Sequence, residues 1–247
     1  ESGLTVMHHN AESEKGNLSV HKFWAAHKTL IVCLMANPEV SILDSVYTVL
    51  DQCRWRGDVT VNEPGSIFRE GVHELKSVEW IHHAGFAYMP LSTSDLTLRL
   101  TTVQGKWSDV NKAGSRETVT EKIFMPVLHQ PKASMAAGYV VASCKTPGDT
   151  QSLKRRPDWR VLRNDGQCQS VLFRDGTCMT AFASSGAVKP GKRKELSVDK
   201  ACLVLLSGNR LWVSDPTHAG GTVRVRLGSD QSQVILPTDG ASVEVKF

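Results

Sequence analysis

Most signatures of a catalytic or metal-binding protein are missing from this sequence. No C-x-x-C occurs among its six cysteines, Cys33, Cys53, Cys144, Cys168, Cys178 and Cys202, which removes the common zinc and thioredoxin-type readings. Six in 247 residues is also too sparse for a disulfide scaffold, and buried free thiols are the simpler expectation. H-E-x-x-H, H-x-H and zinc-type Cys/His spacings are absent, and the pairs His8-His9 and His82-His83 would point to opposite faces of a strand. No metal is therefore expected. G-x-S-x-G, a Walker loop and G-x-G-x-x-G are missing too; Ser184-Ser185-Gly186 lacks the leading glycine of a nucleophile elbow, and Gly220-Gly221 precedes a strand rather than a helix. No cofactor is implied.

Long apolar runs are equally scarce. Thr29 to Pro38, the charge-free stretch of the most apolar region, is about half of what a membrane span requires. Glu1 to Asn17 shows neither a basic n-region nor an apolar h-region, so any export signal is expected to have been removed already and the chain to be a processed product or a fragment. With 29 Lys and Arg against 25 Asp and Glu, the net charge is +4. That is too modest for a typical nucleic-acid binder, although it permits acidic partners.

What the sequence does have is period 2. Val223, Val225 and Leu227 alternate with Arg224 and Arg226; Leu96, Leu98 and Leu100 with Thr97 and Arg99; Val243, Val245 and Phe247 with Glu244 and Lys246. These read as half-buried antiparallel strands. Buried-strand runs occur at Leu30 to Met35, Tyr139 to Ala142 and Cys202 to Leu206. Val46 to Cys53 fits helical and strand spacing alike, and its β-branched content favours strand. Hairpins are expected around His83-Ala84-Gly85 and around Asp175-Gly176. A two-residue loop at the latter would pair Phe173 with Cys178 and put Cys168 on the opposite face, disfavouring a disulfide between the two cysteines.

The class is thus all-β. Lys145 to Pro157, with Thr146-Pro147-Gly148-Asp149 and the basic run Lys154-Arg155-Arg156, is the best candidate linker, dividing the chain into domains at 1–150 and 158–247.

Chemistry-bearing candidates are few. Trp55 between Arg54 and Arg56, and Trp80 near His82, suit sugar-stacking platforms, because an aromatic face covers the apolar side of a pyranose. Burial in a sandwich core is the competing reading for the tryptophans. The clusters Lys154-Arg155-Arg156 and Lys189, Lys192, Arg193, Lys194 suit either an anionic polymer or a solvated edge that resists aggregation.

The order of segments carries more than any one motif. Phe23-Trp24-Ala25-Ala26-His27 running into Leu30-Ile31-Val32-Cys33-Leu34 is followed by Tyr47-Thr48-Val49-Leu50-Asp51-Gln52-Cys53 and by Glu79-Trp80-Ile81-His82-His83-Ala84-Gly85-Phe86-Ala87-Tyr88. After these come Gly105-Lys106-Trp107, Phe124 to His129, Gly138-Tyr139-Val140-Val141, Lys200 to Leu205 and Leu211-Trp212-Val213-Ser214-Asp215-Pro216. This succession resembles the back half of polysaccharide lyase family 8, which includes chondroitin, hyaluronan and xanthan lyases.

The resemblance implies the latter part of a β super-sandwich followed by a smaller C-terminal β-sandwich. It implies β-elimination at a uronate, in a secreted or periplasmic bacterial-type protein, with an acidic polysaccharide and an α/α-toroid catalytic domain or chain as partners. Neither nucleic acid nor a membrane span is implied. Family members carry their catalytic Asn, His, Tyr and Arg on the toroid, so no catalytic residue is assigned here; Tyr47, Tyr88 and Tyr139 are assigned to packing. Substrate contact is assigned to Trp55, Trp80, His82, Arg54 and Arg56. The alternative is a noncatalytic carbohydrate-binding or adhesion sandwich.

Overall fold

Alternating burial makes strands along almost the whole chain. The computed structural model describes residues 1–14, 16–40, 46–130, 136–191 and 194–247. Its strands are β1 (Ser2–Ser13), β2 (Gly16–His27), β3 (Leu30–Val40), β4 (Val46–Val49), β5 (Cys53–Arg54), β6 (Val59–Val61), β7 (Gly71–Val78), β8 (Ile81–His83), β9 (Phe86–Pro90), β10 (Ser94–Gly105), β11 (Val119–Gln130) and β12 (Ala136–Ser143). They continue with β13 (Trp159–Asn164), β14 (Cys168–Phe173), β15 (Cys178–Phe182), β16 (Gly186–Val188), β17 (Leu196–Val198), β18 (Cys202–Ser207), β19 (Arg210–Ser214), β20 (Gly221–Leu227), β21 (Asp230–Leu236) and β22 (Val243–Lys246). Two short helices, α1 (Trp107–Val110) and α2 (Pro147–Arg155), complete the set. No described helix is long and apolar enough to cross a membrane.

The chain divides into two compact units: residues 1–44, 133–140 and 156–247 form one, and residues 45–132 and 141–155 the other. In the first, β1, β2, β3 and β12 lie in that order. A six-stranded sheet, β13-β14-β15-β18-β19-β22, and a four-stranded sheet, β16-β17-β20-β21, close over a core that includes Cys168, Phe182, Leu196, Val204, Leu206, Leu211, Val223 and Val225. Burying that apolar layer is what holds two sheets face to face. Asn164 Nδ2 donates to the carbonyls of Met35 (3.2 Å) and Ala137 (3.0 Å), and the His27 ring lies 4.5 Å from that of Phe173, so the β1–β3 layer rests on β13 and β14.

In the second unit β10 is central. It pairs with β7 and β11, β11 also pairs with β4 and β5, and Leu96, Leu98 and Leu100 turn inward with no exposed surface. That is the period-2 prediction realised. β9, β8 and β6 form the facing layer, with Phe124 of β11 contacting His83 (4.2 Å, stacked) and Tyr88 (5.3 Å) across the core.

Three expectations change. The Asp175 hairpin has a three-residue loop, not two: Phe173 N–H donates to Thr177 O (2.8 Å), Gly176 takes φ +86°, and Leu172 rather than Phe173 faces Cys178. Cys168 and Cys178 therefore share a face, both in the core, but lie four residues apart along the ladder, about 13 Å. No disulfide forms, for reasons of distance rather than parity; all six cysteines are free thiols. Burial pushes the thiols of Cys168 and Cys202 up to about 12.

The supposed linker holds helix α2. Thr146 N–H donates to Asp149 Oδ2 (2.9 Å) and Asp149 N–H to Thr146 Oγ1 (3.1 Å), with Pro147 at the first helical position. This reciprocal cap followed by Pro is a helix-start signature present in the sequence. Its basic run is not simply solvated, since Lys154 Nζ donates to Pro90 O (3.3 Å) and burial lowers its pKa. In the other basic cluster Lys194 is paired to Asp230 (2.7 Å), whereas Lys192 and Arg193 lie outside the described residues. Finally, Tyr88 is 2% exposed as a packing residue should be, but Tyr47 is 57% exposed.

Candidate functional site

The Arg54-Trp55-Arg56 segment leaves the sheet at its β5 end. Arg54 faces Ile123 in register, and Trp55 N–H continues the ladder to Lys122 O (2.8 Å). The chain then bends at Gly57, whose φ of +72° is in the left-handed region that glycine tolerates. Trp55 Nε1 donates to Gly57 O (2.8 Å), folding the half-buried indole over the bend, while Lys122 Nζ stands 5.3 Å from the ring centroid. The indole is thereby held at its polar edge with a cation on one face. Arg54 is engaged by Glu121 at 2.7 Å.

Arg56 is anchored through its backbone, which donates to His83 Nε2 (3.0 Å) and leaves the guanidinium exposed. An imidazole nitrogen that accepts is unprotonated, so His83 is neutral in this arrangement, with its proton on Nδ1. Burial depresses the His83 pKa, against the opposing pull of Asp51. His82, 8% exposed, donates from Nε2 to Cys144 O (3.0 Å). Arg56 and His82 both line a cavity of about 380 Å³ whose other walls include Asp58, Thr60, Ile67 and Pro147.

Of the five residues assigned to substrate from sequence, the structure brings Arg56 and His82 to one cavity and sets Trp55 beside it on the Gly57 bend. Trp80, only 2% exposed, is a core residue with no face free for a sugar ring. Behind the bend lies a network that sequence reasoning missed. Tyr88 Oη donates to Asp51 Oδ2 (2.5 Å), and Cys53 Sγ lies 3.9 Å from His83 Nδ1. Burial first, and Asp51 next, push Cys53 up to about 11; burial and the Asp51 hydrogen bond raise Tyr88 as well. These shifts move each group away from neutral working range, the opposite of what a general acid or base requires. The arrangement suits holding a bend in place and binding. Among the described residues no group of three His, Cys, Asp or Glu is placed to hold a metal ion.

Along most of its length the chain is similar to known proteins of one family. The sequence model for the polysaccharide lyase family 8 super-sandwich domain matches residues 1–154, and that for the family 8 C-terminal β-sandwich domain matches residues 160–224. Chondroitinase-AC of Pedobacter heparinus is 23% identical over 252 residues, covering 93% of this chain and 35% of the relative. Among solved structures, a Paenibacillus xanthan lyase superposes with a TM-score of 0.85 at 18% identity, over all of this chain and 27% of that one. The chondroitin AC lyase of Streptomyces coelicolor A3, solved with chondroitin sulphate, gives 0.73 at 19% identity, covering 98% and 34%. The chain thus spans about a third of the length of the curated relative it matches. With the super-sandwich and C-terminal models matched in the family's order, the chain belongs to polysaccharide lyase family 8.

Proposed function

We propose that this chain is the β-sheet portion of a secreted lyase that cleaves uronate-containing acidic polysaccharides of the chondroitin, hyaluronan or xanthan type by β-elimination. In that reaction the uronate carboxylate is neutralised, a base takes the C5 proton, the bond to the glycosidic oxygen breaks as a C4–C5 double bond forms, and an acid protonates the departing oxygen. This chain serves as scaffold and as a wall of the cleft, and an α/α-toroid domain or chain supplies the catalytic groups. Residues 1–150 and 158–247 are the proposed domains.

The observation that carries the reading is the ordered match of both family models along the chain. The exposed Arg56 guanidinium and the partly open Trp55 ring support a wall that meets an acidic sugar. The test is ultraviolet absorbance of unsaturated uronates released from chondroitin, hyaluronan and xanthan. The expected result is no turnover by this chain alone and turnover when a family toroid is joined to it. Turnover by this chain alone, or none from the joined protein, overturns the reading. The Trp55–Arg56 surface also favours a second reading, a noncatalytic carbohydrate-binding sandwich, which predicts salt-sensitive glycan binding and inactivity in both forms.

A further inference from the structure

A separate cavity of about 220 Å³ lies within the first unit, where the β1–β2 hairpin meets β14, β15 and β18. One side is apolar, built by Cys168, Ala181, Phe182, Leu203 and Pro216. The other carries two imidazoles. His8 and His21 are register partners on β1 and β2, so their side chains share one face of the sheet, and their rings meet edge to face at 4.2 Å.

Among the described lining residues no unengaged carboxylate meets this pair. His8 donates from Nε2 to Ser19 Oγ (3.0 Å), whose own proton goes to Asn10 Oδ1 (2.8 Å). Burial first, then His8, hold the His21 pKa below the usual imidazole value, while a hydrogen bond with the Gly166 backbone works the other way. Lys22 also lines the cavity. The one carboxylate among the described lining residues, Asp165, is occupied by Arg163 Nε (2.6 Å) and by the N–H groups of Gln167 (2.8 Å) and Cys168 (2.9 Å).

An occupant with one apolar face and one negative group fits both sides at once. The volume lies below the roughly 300–1,000 Å³ of drug-sized pockets, which limits the occupant to about one ring. We infer that this cavity is a second carbohydrate subsite, taking a single acidic pyranose, a hexuronate or a sulfated hexosamine, with its anionic group at His8 and His21 and its ring against Phe182 and Leu203. The choice of a sugar over another small organic anion rests on the lyase reading; the need for an apolar ring bearing a negative group does not.

The test is a nuclear magnetic resonance titration of the intact chain, following the imidazole protons of His8 and His21, with glucuronate, glucose and inorganic sulfate in parallel. Glucuronate is expected to shift both rings saturably and to raise the His21 titration midpoint, because a bound anion favours the imidazolium. Glucose and sulfate should do so at least tenfold more weakly. His21→Gln and, independently, His8→Gln should each weaken glucuronate at least fivefold while leaving the remaining spectrum folded. Absence of saturation, equal response to glucose, or equal response to sulfate overturns the inference. The readout needs no turnover, so a failed lyase assay and a failed subsite are told apart.

Discussion

His27 Nε2 lies 2.9 Å from Asp175 Oδ2, joining two hairpin turns 148 residues apart in sequence. Lys28 Nζ reaches the same oxygen at 2.8 Å, Asp175 Oδ1 accepts from Thr177 N–H at 3.1 Å, and Ser2 Oγ contacts the other His27 nitrogen at 2.7 Å. Burial alone would raise the Asp175 pKa, but the bonds from Lys28, Thr177 and His27 hold it well below the usual carboxylate range. A carboxylate depressed on folding contributes stability in full above its unfolded value, near 4, and loses it as pH falls toward its folded value. Because this side chain is 38% exposed, solvent screening keeps the effect small. Asp175→Asn should cost about 1 kcal/mol by urea unfolding at pH 7. The penalty should shrink progressively below pH 4; a penalty independent of pH would show that the charge is irrelevant.

Helix α2 depends on its cap. Thr146→Ala removes the hydroxyl that accepts from Asp149 N–H and should destabilise by about 1 kcal/mol. Thr146→Ser should retain most of that. Thermal melts of the two variants separate capping from the loss of a methyl group.

The β8–β9 turn places Ala84 at φ +50° and Gly85 at +84°, with Ile81 to His83 paired against Phe86 to Tyr88. A two-residue hairpin of this hand favours glycine at both positions. Ala84→Gly should therefore be neutral to stabilising, by up to about 1 kcal/mol, whereas Gly85→Ala should destabilise by about the same amount. No atom comes nearer than 4.0 Å to the added Cβ at Gly85, so its cost would be backbone strain alone. Chemical denaturation of both variants checks the sign.

The two tryptophans should separate cleanly. Trp80→Ala empties a fully packed position and should cost about 3–5 kcal/mol, with no specific effect on glycan binding beyond unfolding. Trp55→Ala should leave stability within about 1 kcal/mol and lower affinity for acidic polysaccharide several-fold. Unfolding curves and affinity electrophoresis on the same samples would show whether the roles are reversed.

Much of this fold was legible because a half-buried strand writes its face into alternate residues. Leu96, Leu98 and Leu100, or Val223 and Val225, could hardly do otherwise. Register was harder: the loop after Phe173 is set by where Gly176 adopts positive φ, and one residue of loop length flips every side chain beyond it. The α2 signal was present in Thr146-Pro147-Gly148-Asp149 but reads equally as a turn until the helix behind it is seen. At the candidate site, the exposure of Arg54 and Arg56 follows from their charge, but the burial of Trp80 and the partners of His82 and His83, such as Cys144 and Phe124, come from segments distant in sequence. Local composition carries no trace of them.

The discontinuous make-up of the first unit has a consequence for how the chain acquires its shape. Residues 1–44 and 156–247 must find each other across about 110 intervening residues. Closing so long a loop adds little to the equilibrium cost, which grows only with the logarithm of length, but long-range pairing slows folding. In the intervening unit β10 pairs with both β7 and β11, contacts that close far shorter loops than the joining of residues 1–44 to 156–247. Severing the polypeptide between residues 154 and 160 would therefore part residues 1–44 of the first compact unit from residues 156–247 that pack with them.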